Sequence, residues 1–400
     1  MLSKLNIFYI KIKNLKNILS GKIVLQTPDE KEILIFNSWQ IEVYKDLFEN
    51  RKYFGLETPD KAIKKIYFSK TILKFIILEI LKGNFKLSYY LSIIKVVNPK
   101  LIVTTIDNDL RFCKLAKILE KKIKFCAIQN AYRDMHYLNK KQASNIYIPH
   151  YLCFGEQTKD HFKKIGAQVK NFYIVGSYKQ SMAEKYLKSK NLINEKYKYD
   201  VCLIGENIPA ATFTSPEAAM VGKIRINARK LVAAHVDKLT EKHKLKTILA
   251  LKRSKDHFLY NEEMNFYKSI LNKNTSIIIE NKTNDFSSYE KSYNSKVTVG
   301  TRSSILLETF ARGNKILSCN YNKDYFSNYS ELNPLLSFDS YFSISGKSYD
   351  EFEKRILLLL SMKVEDFDKY SENIRNYMLA FNKSSPAFEK INLRIDEFLK

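Results

Sequence analysis

The chain has 400 residues, 45% of them hydrophobic, which is enough for two globular domains and too apolar for a disordered chain. Its formal net charge of +25 comes from 67 Lys and Arg against 42 Asp and Glu, so anionic partners of several kinds fit. Lysine is scattered among Ile, Asn and Tyr, a pattern that AT-rich coding also produces, and no RRM, KH, zinc-finger or helix-turn-helix pattern points to nucleic acid.

In chain order, the first 22 residues mix apolar side chains with Lys4, Lys11, Lys13 and Lys16. The stretch is too short and too charged to span a bilayer, and it lacks a signal-peptide cleavage pattern. Two readings stand: a helix lying on an anionic inner-membrane surface, or an ordinary first element with a solvated face. Residues 33–37 read as a buried strand, and helical patterns follow at 59–82 and 86–97, the second stopped by Asn98-Pro99. A strand at 101–106, a helix at 110–121 and a strand at 124–128 make a βαβ unit with parallel strands. Strand, helix and strand recur at 151–154, 156–165 and 172–175, before a polar link at 185–199.

A second series begins at 200–205. It continues with helices at 216–243, 261–272 and 285–293 between strands at 247–251, 276–280 and 296–299. A small-residue turn, a helix and a strand at 315–319 follow, and the chain is helical from 349 onward. The expected fold class is α/β: two doubly wound Rossmann-like domains facing a cleft, with a helical C-terminal segment. The expected limits are 1–180 and 198–345 for the domains, with 346–400 packing back across both.

Cys113, Cys126, Cys153, Cys202 and Cys319 show neither CxxC pairing nor metal spacing, so they read as reduced, buried thiols of a cytoplasmic protein. With no other long apolar run, the expected location is cytoplasmic, soluble or peripheral at the inner membrane.

Ligands of such sheets bind beyond the carboxyl ends of the strands. There Gly300, Thr301, Ser303 and Ser304 cluster at a helix start, where free amides and the helix dipole attract a phosphate. Ser303 or Ser304 can cap that helix. Glu308 lies four residues beyond Ser304 on the same face, placed to accept hydrogen bonds from ribose hydroxyls. Asp107-Asn108-Asp109 either pairs two carboxylates that can hold a divalent cation on a diphosphate, or uses Asp109 as the cap of the next helix. His136 titrates near neutrality, or is a loop histidine without a chemical duty. Lys252-Arg253 is either a solvated basic loop or a phosphate contact, and for the latter the guanidinium is preferred because it bonds bidentately. The loop opened by Gly205-Glu206 lets backbone approach a ligand.

Gly300-Thr301-Arg302-Ser303-Ser304, Glu308 and Ala311-Arg312-Gly313 together resemble the C-domain signature of GT-B glycosyltransferases and their sugar-phosphate transferase relatives. The sequence departs from that pattern with Arg302 inside the turn and Thr309 where Ala is usual. Ile106 to Asp109, with Ile128-Gln129-Asn130-Ala131-Tyr132-Arg133, resembles GT-B-like proteins of bacterial surface-carbohydrate biosynthesis (lipopolysaccharide or capsule), with Ala131 in place of Gly. The resemblance implies donor contacts from Arg253, Gly300, Thr301, Ser303, Ser304 and Glu308, and acceptor contacts from Gln129, Asn130 and Arg133. Related transferases place a His where Asn130 stands, and Asn cannot take a proton. The base therefore falls to Asp107 first, with Asp109 and His136 as alternatives. The implied activity is metal-independent transfer of a sugar from a nucleotide-sugar donor to a surface polysaccharide or lipid-linked glycan, with no cofactor beyond the donor. Polyol- or sugar-phosphate transfer, nucleotide-sugar epimerisation and a non-catalytic scaffold are the alternatives.

Overall fold

The computed structural model describes residues 16–38, 41–59, 63–133, 143–193, 197–206, 216–272, 276–301, 303–321 and 341–400. The chain begins with β1 (Lys22–Val24), β2 (Ile33–Phe36), α1 (Ile41–Phe48), β3 (Tyr53–Leu56), β4 (Lys65–Tyr67), α2 (Lys70–Leu81) and α3 (Ser88–Val97). It continues with β5 (Leu101–Thr104), α4 (Leu110–Leu119), β6 (Lys124–Ile128), β7 (Tyr147–Cys153), α5 (Glu156–Lys164) and β8 (Gln168–Ile174). Six of these strands form one parallel sheet in the order β3-β2-β5-β6-β7-β8. Every residue of β2 and β5 is buried, because helices cover both faces of the sheet and leave no polar side to alternate with.

The helix expected over 59–82 is corrected. Residues 65–67 pair in parallel with β1, and α2 begins only at Lys70, where the Ser69 hydroxyl accepts from the Ile72 amide at 3.3 Å. Strand pairing with a distant segment overrides the local helical spacing. α3 ends where expected, with Asn98 in the left-handed conformation (φ 52°).

α6 (Tyr178–Ser189) takes up the first part of the expected polar link and joins the two halves. Tyr178 belongs to the first core, whereas Ala183 and Leu187 pack with Tyr289 and Tyr293 of the second half. Then follow β9 (Tyr199–Ile204), α7 (Pro216–His243), β10 (Thr247–Ser254), α8 (Tyr260–Lys268), β11 (Ile278–Lys282), α9 (Ser287–Tyr293), β12 (Ser295–Gly300), α10 (Ser304–Ala311), β13 (Lys315–Cys319) and β14 (Ser343–Ile344). The second sheet is also parallel, in the order β11-β10-β9-β12-β13-β14. The molecule is therefore α/β, with two Rossmann-like domains.

The last helices are α11 (Tyr349–Ser361), α12 (Val364–Met378) and α13 (Ala387–Leu399), and they return across both domains. Ile356, Leu359 and Phe367 join the second core, while Ile391, Ile395 and Phe398 of α13 join the first. Each such side chain removed from water stabilises the docking by roughly 1.5–3 kcal/mol. The return is tight. The Ala380 amide donates to the Phe154 carbonyl at 2.8 Å, and Gly155 meets the carbonyls of Tyr377 and Met378 where a Cβ would collide. All five cysteines are buried and free; burial pushes the Cys113 thiol up to about 11 and that of Cys202 to about 12.

Candidate functional site

Each sheet reverses its strand order once, and a crevice opens beyond the carboxyl ends at that point. In the second sheet the reversal lies between β9 and β12. The loops leaving those strands are tied together by Glu206, whose Oε1 accepts from the Thr301 amide at 2.6 Å and from the Thr301 hydroxyl at 2.7 Å. Its Oε2 pairs with Arg229 of α7 at 3.2 Å. In the first sheet the reversal lies between β2 and β5. There Asn37 (φ 64°) donates to Asp109 and accepts from Thr58. The two crevices open onto a single cleft of about 1730 Å³.

Ser303 is the N-cap residue of α10, but its hydroxyl makes no capping bond, and it faces the cleft. Ser304 opens the helix, and its hydroxyl accepts from the Tyr132 amide of the first domain at 2.9 Å. Both serines and Thr301 line the cleft. Glu308 also lines it, although only 1% of the residue is exposed. One of its oxygens accepts from Ser177, the N-cap of α6, and the other accepts from the Tyr289 hydroxyl at 2.6 Å. Burial raises the Glu308 carboxyl above its ordinary range, and the hydrogen bonds from Ser177 and Tyr289 and the charge of Lys179 offset part of that rise.

Several sequence expectations are corrected by position. Arg253 does not line the cleft; Lys252 does. β10 runs three residues beyond the apolar run, so Lys252 faces out and Arg253 turns inward. Buried Glu263 of α8 fixes this parity by accepting both amides, Lys252 at 2.9 Å and Arg253 at 3.0 Å. Gly300 lies beneath the turn without lining the cleft, and a Cβ there would make ordinary contacts. Gln129 is buried and holds its own loop, donating to the Ala131 carbonyl at 3.0 Å and accepting from the Phe154 amide at 2.8 Å. Asp107 is 0% exposed and off the cleft. It accepts from both Arg133 Nε, at 2.9 Å, and Arg133 Nη2, and from the Tyr151 hydroxyl.

Asp109, Asn130 and Arg133 do line the cleft. Asp109 caps α4, its Oδ1 accepting from the Arg111 amide at 2.8 Å, and it pairs with the Arg111 guanidinium at 2.6 Å. Asn130 accepts from Arg133 at 3.1 Å. His136 and Arg302 lie outside the described residues.

The sequence reading missed further cations of the cleft. Lys179 of α6, Arg225 and Arg229 of α7, and Lys282 at the end of β11 all face the cleft with Lys252. Partial removal from water lowers the ammonium pKa values of Lys179 and Lys252; Glu308 and Glu206 offset part of that, and the neighbouring cations act with it. An ammonium destabilised in this way gains when an anion arrives. Against the +25 background these lysines carry no distinguishing sequence signal; only the placement of α6 and of the ends of β10 and β11 around the cleft selects them.

No protein-family model matches the chain, and no curated protein matches it. Solved structures do. UDP-GlcNAc 2-epimerase from Methanocaldococcus jannaschii superposes with a TM-score of 0.53 at 12% identity, over 93% of this chain and 100% of that one. The enzyme of the same name from Neisseria meningitidis, bound to UDP-GlcNAc, gives 0.53 at 11%, over 93% and 99%. S. aureus MnaA, solved with UDP, gives 0.54 at 10%, over 92% and 97%. At such identities the likeness concerns architecture: the chain has the two-domain GT-B fold of these proteins.

Proposed function

We propose that this protein is an enzyme that binds a nucleotide-sugar in the interdomain cleft and moves the sugar to a bacterial surface glycan or its lipid-linked precursor. The observation that carries the reading is the set built on α10. Uncapped Ser303 and the helix start offer an anion site, Glu308 stands one turn below, and Lys179 and Lys252 face the same space. A diphosphate at the helix start would be held by amides and ammonium groups. The ribose hydroxyls would donate to the lone pairs that Ser177 and Tyr289 leave on Glu308.

Transfer breaks the bond between the sugar C1 and the diphosphate oxygen and forms one from C1 to an acceptor hydroxyl oxygen. The electron pair leaves on the diphosphate, where the cleft cations stabilise the growing charge. The hydroxyl proton goes to a carboxylate of the cleft wall. Of the three expected bases, Asp109 lines that wall among the described residues and takes this role in the proposal. Asp107 becomes a positioning residue that holds Arg133 toward the acceptor side.

A second reading, nucleotide-sugar epimerisation, is supported by the names of the structural neighbours and would use the same donor site.

Calorimetric titration with CMP, CDP, UDP, GDP and ADP tests the site. Selective binding of one nucleotide is expected, weakened by about 1 kcal/mol in Glu308→Gln through loss of the charged acceptor, and weakened also in Lys252→Ala. If no nucleotide binds the wild type, or both variants bind as it does, the site assignment fails. Incubation with the matching nucleotide-sugar and a glycan acceptor then separates the activities. Label appearing on the acceptor supports transfer; an inverted hydroxyl in the recovered sugar supports epimerisation.

A further inference from the structure

The cleft does not account for an apolar, basic surface on the first domain. Of the twelve residues of α2 only Ile72 is buried; Leu73, Ile77 and Leu78 are exposed, and Leu81 is 78% exposed. Phe85, in the turn that follows, is 68% exposed. The small β1–β4 sheet abuts the start of α2, through the Phe68 amide on the Val24 carbonyl at 2.8 Å and Thr27 on Ser69 at 2.9 Å. Ile23 of this sheet and the flanking Leu19, Leu25 and Phe68 add to the exposed apolar set. Exposed lysines are interleaved with them along the chain at 16, 22, 64, 65, 70, 74, 82 and 86. Glu79 is the one acid between Ile63 and Ser88, and it is paired with Lys82 at 2.7 Å; the first acid in the sequence is Asp29.

We propose that this surface docks the protein onto an anionic phospholipid bilayer. Apolar side chains would enter the headgroup boundary while the surrounding ammonium groups meet lipid phosphates. The charge pattern selects this occupant. Protein interfaces are depleted in lysine at their centre, and a second copy packed on the same face would set these lysines against their equivalents. The patch also has a defined relation to the cleft. Glu57 accepts the Lys64 and Lys65 amides at 2.5 and 3.2 Å, and the adjacent Thr58 donates to Asn37, which holds Asp109. The bilayer would therefore lie beside the first-domain wall of the cleft. Docking stands independently of the nucleotide reading.

The test is co-sedimentation with vesicles of equal parts phosphatidylglycerol and phosphatidylcholine, compared with phosphatidylcholine alone. Wild type is expected to sediment with the anionic vesicles only and to be released by added salt, which screens the lysines. The double variant Lys70→Glu, Lys74→Glu should lower the partition coefficient by at least about tenfold. Leu78→Ser with Leu81→Ser should lower it as well. Both pairs are exposed, so their melting curves and nucleotide affinities should match wild type, which separates failure of docking from failure of the donor site. The proposal is overturned if wild type stays in the supernatant or both double variants sediment as wild type does. It is overturned equally if the protein is a stable dimer that Leu81→Asp splits.

Discussion

Asp107→Asn separates a structural carboxylate from a catalytic one. In the native protein the carboxylate and its Arg133 partner are 0% and 4% exposed at their side chains, and the Tyr151 hydroxyl donates to the same group. Replacing the charge leaves Arg133 as a buried cation without its counter-ion, a change that costs about 3–5 kcal/mol. For a domain of this size each kcal/mol lowers the melting temperature by roughly 2–4 °C, so a fall of about 10 °C is expected. Adding Arg133→Leu removes the stranded charge and should recover much of the loss; the double-mutant cycle then reports coupling of about 2 kcal/mol or more. Urea unfolding followed by far-UV circular dichroism measures each corner of the cycle, with initial rates of nucleotide release measured in parallel. Wild-type stability in Asp107→Asn together with abolished turnover would refute the structural assignment and return the base to this residue.

Three further outcomes follow from the same geometry. Burial raises the Glu308 carboxyl above its usual 4.5, so between 4.5 and the raised value the folded state holds a proton that the unfolded chain has lost. The stability from this group is present at low pH and declines as pH rises through that window. Glu308→Gln should therefore melt higher than wild type at neutral pH and lose the advantage below 4.5; a constant difference would contradict it. Lys252 and Lys179 sit below the usual 10.5 because of burial, so nucleotide affinity should fall as pH rises from neutral toward 10.5, with protons taken up on binding. Calorimetry in buffers of differing ionisation enthalpy counts those protons, and a flat profile would dismiss the two ammonium groups as ligands. Gly176→Ala should cost about 2–3 kcal/mol, because φ is +89° and a Cβ would strike the Ala380 carbonyl. Gly166→Ala, at φ +78° with nothing within 4 Å, should cost only about 1 kcal/mol, and equal melting temperatures for the two would argue against the tail contact.

The parts of the fold visible in the sequence were those whose physics is local. β5, β6 and β9 are apolar runs because both faces of each sheet are covered, and they stand out against polar loops. β1 and β4 have three residues each and exist through pairing with one another, so periodicity gave a helix across residues 65–67 instead. β14, two residues long, is visible only as a partner of β13. At the site, helical spacing was enough to bring Ser304 and Glu308 together. The choice between Lys252 and Arg253 depended on where β10 ends, and Glu263, ten residues later in the chain, settles that by gripping both amides. Glu206 on Thr301 spans 95 positions, and no local pattern anticipates such a bond.

The chain ties the domains together twice, once along α6, whose two ends pack in different cores, and again between α12 and α13. A body pinned to another at two separated points keeps one easy rotation, about the line joining the pins. Twist and sliding would both strain the Ala380–Phe154 bond at the second pin, whereas a swing leaves it intact. The Tyr132–Ser304 bond spans the cleft itself and opens with the first degrees of that swing. Opening is thus a motion along a single coordinate, and a pair of spectroscopic labels placed anywhere across the cleft should report the same progress variable.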